Sequence, residues 1–271
     1  YAYYDRQMRE QLMLEQRITS EMNGALQSGQ FCFYVQPIYR ITTGEPTSVE
    51  ALVRWNHPER GVVPPRDFIP LFERNGFITK LDAYLWESVC KYQSDLIAEG
   101  VSPLPLSVNL SRLNLKNPSL CQDVIDTVQR YGLPPKLLKL EITESAYTDH
   151  PEHLLSAVQT LRTHGFEILM DDFGSGYSSL SMLKELPVDF VKIDGSFVKG
   201  LTRNPDDVVF VKALTEAVRG YGKTTVAEFV EDEATLSILR EIGVDYAQGY
   251  LIGRPAPTLL DAGLPPRVPA S

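Results

Sequence analysis

The 271 residues carry 43% hydrophobic side chains, enough for a substantial core in one large domain or two small ones. A formal net charge of −9 and an isoelectric point near 5.0 exclude a broad phosphate-tracking surface, and with it a nucleic-acid polymer as partner. A small phosphorylated ligand stays open, because metal ions or a few local cations can neutralise it.

Residues 1–29 are rich in Gln, Glu, Arg and Met, with Met8, Leu12, Ile18, Met22 and Leu26 near helical spacing. They predict an amphipathic lead-in helix whose stripe is a docking face. From Phe31 onward, apolar strand-like runs alternate with helical patterns. Strands are expected near 31–39, 47–54, 105–110, 137–143, 166–172, 189–194, 224–229 and 245–251. Helices are expected at 81–99, 119–131, 152–164, 206–220 and 232–241. Breakers such as Gly132-Leu133-Pro134-Pro135, Leu186-Pro187 and Ile242-Gly243 separate them. Alternation of this kind implies mostly parallel pairing with helices outside. Eight strands fit a closed (β/α)8 barrel, with an open doubly wound sheet as the alternative. The expected division is a helical linker over 1–29, the barrel over 30–258 and a tail over 259–271.

Polar strand ends favour the barrel. The apolar run Phe166–Met170 delivers Asp171 and Asp172 to a turn bearing Gly174 and Gly176. Glu50, Asn109, Glu141, Lys192 and Glu228 end other strands in the same way, and a barrel gathers such ends at one mouth. Neighbouring strand residues normally face opposite ways, so Asp171 and Asp172 share a site only if the strand tip frays. The oxygen donors Glu50, Asn109, Glu141, Asp171 and Asp172, with no His or Cys, suit Mg²⁺ or Mn²⁺ rather than zinc. Converging with Glu228, they would repel one another without cations. Lys192 is either the partner of an attacking water or a member of an ordinary salt bridge.

Other signals are weak. Asp172-Phe173-Gly174 spells a kinase metal triplet without the accompanying catalytic loop, and Gly174-Ser175-Gly176 lacks the third glycine of a dinucleotide fingerprint. His57, His150, His153 and His164 fall in turn or helix patterns and read as structural or solvated. Cys32, Cys90 and Cys121 lack metal-ligand spacing and suit a reduced compartment, with Cys90 and Cys121 packing rather than reacting. No stretch approaches the roughly 20 apolar residues of a membrane helix, and no signal peptide is visible. The chain starts at Tyr1, so it reads as a piece of a longer protein. The expectation is a cytoplasmic domain, with an inner-membrane anchor in the full-length protein as one option.

The residues also resemble a known family. Glu50-Ala51-Leu52, followed by Val53-Arg54-Trp55, resembles the signature of the EAL domain, the bacterial cyclic-di-GMP phosphodiesterase. Its other motifs stand in order over 31–257: Gln36-Pro37, Asn109-Leu110-Ser111, Glu141-Ile142-Thr143-Glu144, the Asp171–Leu180 run, Lys192-Ile193-Asp194, Ala227-Glu228 and Gln248-Gly249-Tyr250. Residues 1–29 are similar to the linker that joins such domains to an upstream sensor or diguanylate-cyclase-like domain.

The resemblance implies a barrel whose first strand is antiparallel to the rest, and hydrolysis of cyclic-di-GMP to linear 5′-pGpG with two Mg²⁺ or Mn²⁺ per site, inhibited by Ca²⁺. It assigns Glu50, Asn109, Glu141 and Asp171 to one metal, and Asp171 and Asp172 to the second. Glu228 and Gln248 would act through the metal or its waters, and Lys192 would orient or deprotonate the attacking water. Gln36, Leu52, Arg54, Asp194, Glu231 and Tyr250 would line the substrate alongside Asn109, with Arg54 facing a phosphate. Glu144 would brace the loop after Asp172, and the loop and helix from 173 would join a homodimer interface. A cyclic-di-GMP receptor without useful turnover is the alternative. One departure stands out: Phe229 occupies a position where the family usually has Gly. Strand alternation turns Phe229 away from Glu228 into a neighbouring helix; the sharper alternative places its ring at the pocket, stacked on a guanine.

Overall fold

Side-chain character with a period of two along strands buried on both faces decides the architecture. In the strand Leu138–Thr143, the buried Leu138, Leu140 and Ile142 alternate with Lys139 and Glu141, and in Phe190–Ile193, Val191 and Ile193 alternate with Phe190 and Lys192. The two sets face opposite sides of a sheet. The computed structural model describes residues 2–149, 151–174 and 180–264, and in it the sheet closes on itself so that one face turns inward.

The barrel strands are β1 (Phe31–Arg40), β2 (Glu45–His57), β4 (Leu106–Asn109), β5 (Leu138–Thr143), β6 (Glu167–Phe173), β7 (Phe190–Ile193), β8 (Thr224–Ala227) and β9 (Tyr246–Ala247). A short β3 (Gly61–Val63) extends β2 as a hairpin. The order β1-β9-β8-β7-β6-β5-β4-β2 closes through a β1–β2 pairing. β1 is antiparallel to both β2 and β9, and the remaining barrel pairs are parallel. A (β/α)8 barrel with its first strand reversed is therefore the fold.

The inward residues stack in layers. Ile38, Ser48, Lys139, Leu169, Phe190, Val226 and Tyr246 surround a small cavity of about 30 Å³ low in the barrel. Two residues further toward the C-terminal ends lie Glu50, Glu141, Asp171, Lys192, Glu228 and Gln248. Because β1 runs the other way, its contribution to the upper layer is Gln36, which precedes Ile38 in sequence. The lower layer packs the barrel; the upper layer is almost wholly polar.

Helices cover the outward face: α3 (Ile78–Ala98), α4 (Leu120–Arg130), α6 (Pro151–Thr163), α9 (Pro205–Gly220) and α10 (Glu233–Ile242). Their starts are encoded locally. Asp232 accepts from Thr235 N at 2.7 Å to cap α10, and Asn204 caps α9 ahead of Pro205. Such caps contribute about 1 kcal/mol each. Gly243, at φ 91°, ends α10 in the left-handed conformation.

A second core lies beside β2. Phe31, Trp55, Phe68, Phe72 and Phe77 pack ring on ring, with Phe72 and Phe77 edge to face at 4.8 Å. Ile18, Met22, Ala25 and Leu26 of α1 (Ala2–Gln27) join this core, whereas Met8 and Leu12 are exposed. Only the C-terminal part of the expected stripe therefore docks. Glu21 anchors it by accepting from Arg17, Arg60 and His57. His57 Nδ1 accepts from the backbone N–H groups of Glu59 and Arg60, so its proton sits on Nε2 and is donated to Glu21. His57 is structural, as expected. At the other end of the chain, Leu259, Ala262 and Leu264 pack against the main core.

Among the described residues, one short strand and four short α-helices escaped the pattern: β3, α2 (Ile69–Asn75), α5 (Glu144–Asp149), α7 (Leu180–Glu185) and α8 (Gly195–Val198). None exceeds seven residues, too short for periodicity to emerge. Two expected strands are shorter than read. β8 stops at Ala227 and β9 at Ala247, so Glu228, Phe229, Gln248 and Tyr250 stand on loops beyond the strand ends.

Candidate active site

A bulge solves the geometric problem of adjacent aspartates. The β6–β7 register shifts between Met170 and Phe173, and Asp172 has φ 54°. A bulged residue leaves the alternation of the pleat. Asp171, Asp172 and Glu228 consequently bring one carboxylate oxygen each within 4.8 Å of one another. Below the bulge, Glu144 Oε2 accepts from Gly174 N at 3.3 Å. Residues 175–179, which carry most of the expected loop and interface, lie outside the described residues.

Lys192 occupies the centre of the upper layer. Its Nζ lies 2.7 Å from Glu141 Oε2, 2.8 Å from Glu228 Oε1, 3.0 Å from Asp171 Oδ1 and 3.2 Å from Glu50 Oε2. Burial works against its charge, but Asp171, Glu141, Glu228 and Glu50 outweigh that and raise its pKa well above the ordinary value. One ammonium cannot neutralise four carboxylates. Burial, then Glu50, pushes the Glu141 carboxyl up, and burial also raises Glu228 against the pull of Lys192. Asp172 is raised to about 6, by burial first and then by Asp171 and Asp194. The layer is built for more positive charge than the chain supplies.

The donor chemistry fits a hard divalent cation. Glu141 Oε1 and Gln248 Oε1 are buried with no hydrogen-bond partner, an arrangement proteins normally avoid. Gln248 Nε2 donates to Glu50 Oε2 at 2.7 Å and to Gln36 Oε1 at 3.2 Å, while Gln36 donates to Gly253 O. This chain orients the Gln248 oxygen away from its own partners. The loop that presents Gln248 is zipped to the loop after β8: Val230 N donates to Gln248 O and Leu251 N to Val230 O. A Cβ on Gly249 would meet the Val230 backbone, which explains glycine there.

One cavity opens on the layer and a second lies beyond it, with Leu52 lining both. The smaller, of about 230 Å³, is bordered by Arg54, Glu231, Tyr250 and Phe229 beside Gln36, Glu50, Glu228 and Gln248. Arg54 lies over the Tyr34 ring and donates to Val53 O, and Arg254 lies over the ring of Tyr250. The larger, of about 630 Å³, includes Asn109, Ser111, Arg112 and Asp82. Asn109 is exposed at the tip of β4, where its backbone carbonyl accepts from Trp86 Nε1. Asp194 caps α8 through Ser196 N. The sequence-derived residues thus gather around one mouth, with Glu144 supporting from below.

Phe229 does not follow its simpler expectation. The strand ends before it, its φ is 56°, and although its ring lies against Gly195 at the start of α8, the residue stays 47% exposed at the smaller cavity instead of being buried. Among the cysteines, Cys90 is buried with its thiol pushed up to about 12, and Cys121 donates to Ala157 O. Both pack, as expected.

Asp82 was not singled out in the sequence, although an acid between Leu81 and Leu85 on an apolar helix face was a usable signal. It is buried, and its Oδ2 accepts from Ser111 N at 3.0 Å and Asn114 Nδ2 at 2.6 Å. Burial raises its pKa from 3.8 to about 7 despite those bonds. A carboxyl raised in the folded state contributes stability fully below its unfolded pKa and loses it as pH rises through the folded value. Relative to Asp82→Asn, the wild type should therefore lose roughly 2 kcal/mol between pH 5 and 7, at about 1.4 kcal/mol per unit until the group half-titrates. Urea unfolding at several pH values reads this difference; parallel curves would contradict it.

Comparisons with known proteins agree with this geometry. The model of the EAL domain family matches residues 19–255. An uncharacterized signaling protein of Caulobacter vibrioides is 38% identical over 95% of this chain, and the bifunctional diguanylate cyclase/cyclic di-GMP phosphodiesterase MucR of Pseudomonas aeruginosa is 33% identical over 95%. The matches cover 31% and 38% of those proteins, so the chain spans about a third of the length of these curated relatives. The solved PaMucR phosphodiesterase in complex with c-di-GMP is 34% identical, with a TM-score of 0.85 over 90% of this chain and 99% of that one. The FimX EAL domain from Pseudomonas aeruginosa, bound to c-di-GMP, is 26% identical with a TM-score of 0.82, over 89% and 97%.

Proposed function

The chain belongs to the EAL domain family, and from that premise we propose that it hydrolyses one phosphodiester bond of cyclic-di-GMP to give linear 5′-pGpG. The observation that carries the reading is the ring of four carboxylates on Lys192, two of which, Glu50 and Glu228, line a cavity beside Arg54 and Tyr250. Relatives named as phosphodiesterases and solved complexes with c-di-GMP support it.

Glu50, Asn109, Glu141 and Asp171 would hold one Mg²⁺ or Mn²⁺, and Asp171 with Asp172 a second, with Glu228 and Gln248 completing the set. When bound, such ions lower the pKa of a water and polarise the phosphoryl oxygens. Lys192 then orients the attacking water toward phosphorus, opposite the leaving ribose oxygen. Arg54 contacts a phosphate, Leu52 separates the two cavities, and Gln36, Asp194, Glu231 and Tyr250 line the nucleotide. Glu144 keeps the bulge in place. Ca²⁺ would bind yet support little turnover, because its larger and looser shell relaxes in-line geometry.

The domain would act as a homodimer, as the output module of a longer protein with an upstream sensor or cyclase-like domain. Its three free cysteines suit the cytoplasm. No helix among the described residues is long and apolar enough to cross a membrane.

Incubation with cyclic-di-GMP and Mg²⁺, Mn²⁺ or Ca²⁺, followed by chromatography, tests the proposal. Linear pGpG in Mg²⁺ or Mn²⁺ is expected. Saturable binding without product would instead make the domain a receptor. Arg54→Ala should raise KM about 10–100-fold at nearly constant kcat, the loss expected for a hydrogen bond to a charged group worth about 1.5–3 kcal/mol. A fall confined to kcat would remove Arg54 from phosphate binding.

A further inference from the structure

Asp172 and Phe229 are the two non-glycine residues with positive φ among the described residues, and both stand at the barrel mouth next to carboxylates of the upper layer. Asp172 owes its conformation to the bulge. Phe229 has no bulge to explain it, and a side chain with a Cβ is sterically disfavoured there. Strained backbone of this kind persists only where the surroundings hold it.

Those surroundings come from two sides: the Gln248–Leu251 loop bonds the Val230 backbone, and the α8 segment seats the ring. α8 starts at Gly195, and a Cβ at that position would overlap the Phe229 ring at Cδ2, Cγ and Cε2. Lys199, just past α8, sets its Nζ 3.9 Å from the centroid of the same ring. Glycine at 195 thus makes the seat, and a cation–π contact closes it. The segment 192–199 therefore grips two consecutive residues of the neighbouring loop. Lys192 pairs with Glu228 inside the barrel, and Gly195 with Lys199 holds Phe229 outside it. Ala227 and Val230 on either side are bonded to the Gln248–Leu251 loop, whereas the Glu228 N–H itself only reaches Ile193 O at 3.4 Å.

We propose that Phe229 is a positioning residue whose ring, seated on Gly195 and Lys199, holds the left-handed turn that aims the Glu228 carboxylate into the metal-binding layer. Released from the seat, a residue with a Cβ relaxes toward negative φ, rotates the 228–229 peptide and withdraws Glu228. Glycine in place of Phe229 tolerates the turn without a clamp. The proposal rests on the phosphodiesterase reading for its kinetic readout, but not for its metal-affinity readout.

The test compares Phe229→Ala, Phe229→Gly, Phe229→Tyr, Gly195→Ala and the Gly195→Ala/Phe229→Gly pair. Each is assayed for Mn²⁺ affinity by calorimetry and for cyclic-di-GMP turnover. Phe229→Ala and Gly195→Ala should each weaken Mn²⁺ binding and lower kcat by about tenfold, with KM nearly unchanged. Phe229→Tyr should match the wild type. Phe229→Gly should lose less than Phe229→Ala, and adding Phe229→Gly to Gly195→Ala should restore activity toward the Phe229→Gly level.

Additive losses in the double variant would overturn the seat. So would wild-type Mn²⁺ affinity in Phe229→Ala. A rise in KM alone, largest in Phe229→Gly, would mean that the ring contacts a nucleobase instead. Should Gly195→Ala fail to unfold cooperatively in EDTA, the ordering of the three Phe229 variants decides the matter. Should the wild type bind Mn²⁺ but hydrolyse nothing, the functional reading falls while the affinity series still judges the clamp.

Discussion

Lys192→Met should strongly slow hydrolysis and, in EDTA, weaken the fold by roughly 3–5 kcal/mol, the range for removing one partner from a buried ion pair. Lys192 is 1% exposed and is the shared partner of Glu50, Glu141, Asp171 and Glu228. Without it, those buried carboxylates repel one another with no ammonium among them. Mn²⁺ replaces the missing positive charge, so it should raise the melting temperature of Lys192→Met more than that of the wild type. The kinetic loss is of a different kind. A group that orients the attacking water acts in the transition state, so kcat should fall about 10²–10⁴-fold while substrate affinity changes far less. Near-normal turnover would exclude Lys192 from the reaction. A melting curve in EDTA that matches the wild type would mean that the carboxylates take up protons without cost.

The barrel was legible because its physics is periodic. Outward Val, Ile and Leu alternate with inward polar residues on strand after strand; Glu50 within the long β2, the polar ends of β4, β5, β6 and β7, and Glu228 just past β8 stand where a closed sheet brings them together. Gln36 could not be placed by spacing, because its layer follows from the reversed direction of β1. The motif resemblance supplied that residue. Features set by a single backbone torsion were invisible. The bulge at Asp171 and Asp172 depends on the β6–β7 register, and Phe229 turns toward the mouth because β8 ends one residue before Glu228. Alternation fails at both points for the same reason: the residue has left the pleat. Asp82 escaped notice differently, since its partners Ser111 and Asn114 lie about thirty residues away.

Glu50→Gln separates metal binding from folding. Glu50 Oε2 accepts from both Lys192 Nζ and Gln248 Nε2, and its charge is among the causes that push Glu141 upward. Removing that charge relieves repulsion in the metal-free layer, so stability in EDTA should hold or rise slightly. The divalent ion loses a carboxylate ligand at the same time. At a Mn²⁺ concentration of 100 times its wild-type Kd, the wild type gains about 2.7 kcal/mol. For a variant bound 100-fold more weakly, the gain shrinks to about 0.4 kcal/mol. For a chain of this size the difference amounts to about 5–10 °C in Tm, readable by calorimetry with and without Mn²⁺. Turnover should fall with the metal, by about 10³-fold or more, since amide for carboxylate preserves shape but not charge. An unchanged Mn²⁺ shift alongside lost activity would leave Glu50 in the chemistry but outside the metal site. An unchanged shift with unchanged activity would remove it from both.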